Sequence, residues 1–212
     1  MDTPTRAKVK TEDRQAELVQ VALGLAAQRS PAEVTTGDLA QAIGITQGGV
    51  FKHFENKEAI WLAVLDWAHH SLIQRLQLAA QVQKASAMDS LRAVFMAHVD
   101  FVERHPGVPR IVFQELQHAK PTPLKGKVQQ LMADYRALVD GLLEQARDEG
   151  LLQAEADTKA AAILFMGAVQ GLVMQSLVAG SLCGIARQAE AVFHIFEAGL
   201  LAMPIPSRRK QQ

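Results

Sequence analysis

Val34-Thr35-Thr36-Gly37-Asp38-Leu39-Ala40-Gln41-Ala42-Ile43-Gly44-Ile45-Thr46-Gln47-Gly48-Gly49-Val50-Phe51-Lys52-His53-Phe54-Glu55-Asn56-Lys57-Glu58 reads as two short helices joined by a tight turn, with a third helix starting at its end. Thr35 can cap the first helix, and Asp38 completes a Thr-x-x-Asp capping box with its charge at the positive helix end. Leu39, Ala40 and Ile43 then share one face. Gly44 ends this helix because a C-terminal cap needs positive φ, which glycine adopts at little cost. Thr46 is the N-cap of the second helix, where Val50 and Phe54, four apart, make a buried edge. Gln47, Gly48, Lys52 and His53 are left on its other faces. Asn56 caps the helix beginning Lys57-Glu58. The arrangement predicts a DNA-reading helix-turn-helix.

Upstream, Leu18, Val21, Ala22, Leu25 and Ala26 form the stripe of an amphipathic helix over about residues 11 to 29, closed by Ser30-Pro31. Downstream, the helix from Lys57 to about Gln83 carries Ile60, Val64, Leu65, Ala68 and Leu72 on its inner side and links two domains. Further helices are predicted at about 87 to 105, 108 to 118, 124 to 149, 157 to 180 and 185 to 202, separated by Pro and Gly punctuation such as His105-Pro106-Gly107 and Pro121-Thr122-Pro123. The expected division is a DNA-binding domain over residues 1 to 56, an effector-binding and dimerisation domain over 57 to 203, and a basic tail over 204 to 212.

The stretch from Thr35 to Glu58 resembles, densely and without gaps, the end of the DNA-binding domain of the TetR family of transcriptional regulators. The resemblance covers roughly residues 11 to 65; beyond it only length, helicity and order of parts agree. It implies a three-helix DNA-binding domain followed by a C-terminal helical bundle that binds ligand and dimerises. It also carries DNA-contact roles onto Thr36, Gln47, Gly48, Gly49, Phe51, Lys52, His53 and Lys57. Lys57 would hold a phosphate. Gln47 and Lys52 are the leading base-edge readers, because glutamine can bond adenine bidentately and lysine can donate to guanine. Three positions depart from the family pattern: Gly37, where a basic or bulkier residue is frequent; Gly49, where threonine or alanine is common; and Phe51, which lacks the hydroxyl of the frequent tyrosine. The adjacent Gly48 and Gly49 lower helix propensity by up to about 1 kcal/mol each.

Composition agrees. The 212 residues are 49% hydrophobic, and runs with the alternation of strands are missing, so an all-helical globular class is expected. The formal net charge is zero. Within residues 1 to 60, seven basic side chains (Arg6, Lys8, Lys10, Arg14, Arg29, Lys52, Lys57) face eight acidic ones, so DNA binding rests on placement and not on bulk charge. A shallow salt slope follows. The one cysteine, Cys183, excludes an internal disulfide and fits a reducing cytoplasm; inert packing is preferred there to a redox role. The polar N-terminus shows no leader pattern, so export is not expected.

Residues Ala160 to Val169 are uninterruptedly apolar, and the helix from Asp157 to Gly180 approaches spanning length. Gln170 and Gln175 sit within it, and the preferred reading is a helix covered by its own core on one face and by a second subunit on the other. Gly167 and Gly171 would let another helix approach closely. The last helix supplies a second stripe from Ile185, Ala189, Val192, Phe193 and Phe196. In the TetR family the last two helices form a four-helix dimer interface, which this layout resembles.

The effector domain is expected to take a small hydrophobic or aromatic molecule, with Trp67, Phe95, His98, Phe113, Gln117, Met132, Tyr135, Phe165, Gln170 and Met174 as candidate contacts. Each can equally be solid core. An enzyme is not expected: there is no Gly-rich phosphate loop, Gly-x-Ser-x-Gly elbow or Cys-x-x-Cys. Glu115-x-x-His118 has the spacing of half a di-iron site, but no second such pair appears. No metal or cofactor is expected. The predicted role is a dimeric repressor on a palindromic double-stranded DNA operator, with a helical scaffold as the alternative.

Overall fold

The computed structural model describes residues 11–82, 85–182 and 184–201. Among these, every long element is helical: α1 (Thr11–Gln28), α2 (Thr36–Ala42), α3 (Gln47–Val50), α4 (Lys57–Val82), α5 (Ala87–Arg104), α6 (Gly107–Leu116), α7 (Pro123–Asp148), α8 (Thr158–Val178) and α9 (Ile185–Leu200). The only strand-like pairing among them is a single bridge between Leu152 and Leu201. Cys183 and the basic tail lie outside the described residues, as do Arg6, Lys8 and Lys10.

The chain forms two compact units. The first takes residues 1–71 and 104–132, the second 72–103 and 133–212. By packing, one division between the units falls within α4, and α6 belongs with the helix-turn-helix.

In the first unit α1 packs against α2 and α6, and α2 against α3. The buried positions of α1 are Leu18, Val19, Ala22, Leu23 and Ala26. This corrects the expected stripe, in which Val21 and Leu25 stood where Val19 and Leu23 are. The cause is α6, whose first residue, Gly107, lies against the backbone of α1: a Cβ there would fall 2.3 Å from the Leu23 carbonyl oxygen and 3.2 Å from the Ala27 nitrogen. Only glycine permits that approach. The inner side of α4 is as expected, with Ile60, Val64, Leu65 and Ala68 essentially sealed.

In the second unit, α8 and α9 pack together. Asp157 caps α8, its carboxylate accepting from the backbone N–H groups of Lys159 and Ala160 at 2.9 and 3.1 Å. The buried face of α8 (Thr158, Ala161, Ala162, Phe165, Val169, Leu172, Val173, Ser176) keeps the i, i+3, i+4 spacing. Its other face leaves Ile163, Leu164, Met174 and Val178 exposed. By length and composition alone α8 is apolar enough to cross a membrane.

Candidate nucleic-acid interface

The capping box forms as its residue types dictate. Thr35 donates from its backbone N–H and its hydroxyl to Asp38 Oδ2, each at 2.8 Å, and the Asp38 N–H donates back to Thr35 Oγ1 at 3.1 Å. Arg29 adds an ion pair to the same carboxylate at 2.7 Å. The Thr35 backbone bond, then its hydroxyl, then Arg29 together lower the Asp38 pKa to about 2. At the far end Gly44 takes φ 66°, and the N–H groups of Gly44 and Ile45 bond back to the carbonyls of Gln41 and Ala40. The turn angle between α2 and α3 is thereby fixed by local chemistry.

Thr46 caps α3 through a 3.1 Å bond from the Gly49 N–H. The regular α-helix lasts only from Gln47 to Val50, and hydrogen-bonded turns continue it to Phe54. That is shorter than the expected second helix. The low propensity of Gly48 and Gly49 gives the physical reason. Val50 and Phe54 are nevertheless both buried, so the segment is anchored from beneath.

Gln47, Gly48, Phe51 and Lys52 are brought together at the exposed surface of this segment, with Phe51 47% exposed. Gly49 is half-buried over Ile45. Thr36 is buried beneath, and its Oγ1 accepts a 2.7 Å hydrogen bond from Gln47 Nε2. His53 is half-buried: its carbonyl accepts from Gln15 Nε2 at 2.7 Å, and its Nδ1 is enclosed. Lys57 Nζ donates to the Ala32 carbonyl at 3.1 Å. The resemblance-based residues thus fall into an exposed set and a supporting set.

Sequence reading had no signal for the supports that come from afar. Gln114 of α6 accepts from the Ala32 N–H at 3.1 Å and from the Ser30 hydroxyl at 3.4 Å, holding the segment that leads into α2. The separations of 82 and 84 residues hide such pairs from any local pattern.

The candidate effector residues divide between the units. Trp67, Phe113, Gln117 and Met132 belong to the first, where Trp67 meets His105 edge to face at 4.9 Å and Gln117 is exposed. The other six belong to the second, where Phe95, His98, Tyr135 and Phe165 are gathered with Phe193 and Phe196 by successive ring contacts of 4.9 to 6.4 Å. Gln170 and Met174 lie on the exposed side of α8. Glu115 is buried, with His118 Nε2 3.8 Å away, and no group of three or more potential metal ligands occurs among the described residues.

On the exposed face of α8 and α9, Leu164, Ala168, Val192, Ile195, Phe196, Gly199 and Leu200 line a shallow groove of about 200 Å³. Ile195 and Leu164, 73% and 58% exposed, give this groove contiguous apolar surface.

Comparison with known proteins covers both units. Residues 18–64 match the family model "Bacterial regulatory proteins, tetR family", and residues 84–174 match "Tetracyclin repressor-like, C-terminal domain". The nucleoid occlusion factor SlmA of Sodalis glossinidius is 27% identical over 145 residues, covering 68% of this chain and 71% of that protein. The transcriptional regulator FadR of Bacillus subtilis, solved in complex with stearoyl-CoA, shares the fold at a TM-score of 0.75 and 18% identity, over 87% of this chain and 98% of that one. The ketosteroid transcriptional regulator KstR2 of Mycobacterium tuberculosis does so at 0.76 and 20%, over 93% and 100%. With both family models matched in order along one helical fold, the chain is a member of the TetR family.

Proposed function

We propose that the protein is a dimeric, sequence-specific DNA-binding regulator in the cytoplasm, a repressor released from a palindromic operator by a small hydrophobic or aromatic effector. The observation that carries the reading is the capped turn between α2 and α3, which presents Gln47, Gly48, Phe51 and Lys52 on a segment anchored by Val50 and Phe54. Gln47 and Lys52 read base edges, Lys57 serves the phosphate backbone after exchanging its bond to Ala32, and Gly48 and Gly49 admit close approach of the DNA. The exposed apolar face of α8 and α9 supports pairing with a second copy. A dimer places two recognition segments in successive major grooves, with half-sites roughly 34 Å apart. Effector binding acts by favouring a conformation that fits the operator poorly. Phe95, His98, Tyr135 and Phe165 are the contacts this reading retains first, because they lie together.

The test is selection of bound duplexes from a random DNA pool, followed by titration of the enriched sequence at two salt concentrations. An enriched near-palindrome with a shallow salt slope is expected. No enrichment by an intact dimer overturns the operator reading. The similarity to SlmA favours a second reading, a factor that acts on the nucleoid instead of on a promoter. Binding that leaves transcription of adjacent genes unchanged when the protein is removed would select it.

A further inference from the structure

The aromatic cluster of the second unit encloses two polar atoms that its fold leaves unpaired. Tyr135 is 1% exposed and its hydroxyl has no hydrogen-bond partner. His98 keeps some exposed surface, but its Nδ1 is enclosed and also without a partner. The two rings meet edge to face with centroids 4.9 Å apart, so the two unpaired groups are carried by neighbouring side chains. Their further ring neighbour is Phe165, in contact with Tyr135 at 6.4 Å and with Phe95 at 5.3 Å. Both phenylalanines are fully buried.

Buried polar groups are paired in the great majority of cases, since an unmade bond forfeits hydration without replacement. One orphan is an isolated defect. Two on touching rings, at the edge of an otherwise carbon-lined cluster, make the polar end of a binding site.

We propose that His98 and Tyr135 receive the hydroxyl of a neutral, predominantly apolar effector whose skeleton lies against Phe95 and Phe165. The proposal rests on the effector-responsive reading above and specifies its ligand class. A hydroxyl suits the pair whichever nitrogen of His98 carries the proton, because it accepts from the phenol and either donates to Nδ1 or accepts from it. A carboxylate would find no counter-charge in the pair itself. Burial pushes the His98 pKa down to about 4 and the Tyr135 phenol far up, so at neutral pH both are uncharged. An anion entering here would lose its hydration and meet two neutral partners.

The test titrates the full-length protein with 2-naphthol, naphthalene and 2-naphthoate by calorimetry at pH 7.5, repeats each with Tyr135→Phe, and follows release of the selected operator. Naphthol should bind about tenfold tighter than naphthalene, the size of one neutral hydrogen bond, and naphthoate more weakly than either. Tyr135→Phe, which keeps the ring, should reduce the naphthol advantage to what His98 alone supplies and leave naphthalene unchanged. Equal affinity of naphthol and naphthalene overturns the proposal, as does a naphthol advantage undiminished by Tyr135→Phe. So does failure of all three probes to bind alongside a Tyr135→Phe protein of raised Tm, the behaviour of a solid core carrying an unpaired hydroxyl. Tyr135-dependent naphthol binding without operator release upholds the site and overturns the effector reading. Operator release by naphthoate, insensitive to Tyr135→Phe, upholds the effector reading and overturns this site.

Discussion

Replacing Gly107 with alanine sets two calculable effects against each other. On helix propensity the change should stabilise α6 by up to about 1 kcal/mol. The packing reverses the sign. The new Cβ would lie 2.3 Å from the Leu23 carbonyl oxygen, where real contacts essentially never fall below 3.0 Å, so α6 and α1 must part by about 0.7 Å along that line. The obstacle is backbone, which cannot rotate away, and Ala26 Cβ and the Ala27 nitrogen crowd the same side at 3.2 Å. Overpacking of this kind costs roughly 1–3 kcal/mol, so a net loss of up to about 3 kcal/mol is expected. In a chain of this length each kcal/mol moves Tm by about 2–4 °C. Urea unfolding of Gly107→Ala should show the loss, with Gly141→Ala as control, since a Cβ at Gly141 meets nothing within 4 Å. A Gly107→Ala protein as stable as the parent, or more so, would refute the account of how α6 is seated on α1.

Four further outcomes are expected. Gly48→Ala enters open space in the free protein, so it should raise stability by up to about 1 kcal/mol, while gel-shift affinity falls if DNA approaches that backbone; unchanged affinity counts against the approach. Thr36→Val should flatten base preference at the position that Gln47 is proposed to read, with Thr36→Ser restoring it; equal selectivity in random-pool selection of the valine variant removes Thr36 from that role. Thr35→Ala removes the capping bond and should lower stability by about 1 kcal/mol in thermal melts. His98, whose folded pKa is depressed, binds fewer protons when folded. Its contribution is therefore complete above the ordinary value of 6.5 and is lost as pH falls toward about 4, by about 3 kcal/mol in all. A His98→Phe protein should lack that dependence in unfolding measured between pH 7 and 4.5.

The turn between α2 and α3 was legible because its determinants are local. Thr35, Asp38, Gly44 and Thr46 each act within a few residues of themselves, so reading caps is reading chemistry already complete in the sequence. The buried face of α1 was not legible in the same way. Val21 and Val19 are equally apolar, and what distinguishes them is the packing of α1 against other helices, α6 above all, which begins at residue 107. The same holds for the site. Gln47 was visible as a polar residue opening the second helix, but its bond to Thr36 depends on the turn angle between helices. Among the effector candidates, residue type singled out ten apolar, aromatic and amide positions, and only tertiary packing decides that Phe95, His98, Tyr135 and Phe165 lie together while Gln117, Gln170 and Met174 face outward.

The assignment of α6 to the unit that holds the helix-turn-helix bears on how such proteins can be recombined. A chimera joined at residue 57 would give a foreign sensor the first three helices but leave behind Gln114, which holds Ser30 and Ala32, and Gly107, against which α1 is fitted. The transferable module is discontinuous, residues 1–71 with 104–132. Grafts that carry both segments should retain the parent's operator preference, whereas a single crossover hands the reader to an α6 that did not evolve with it.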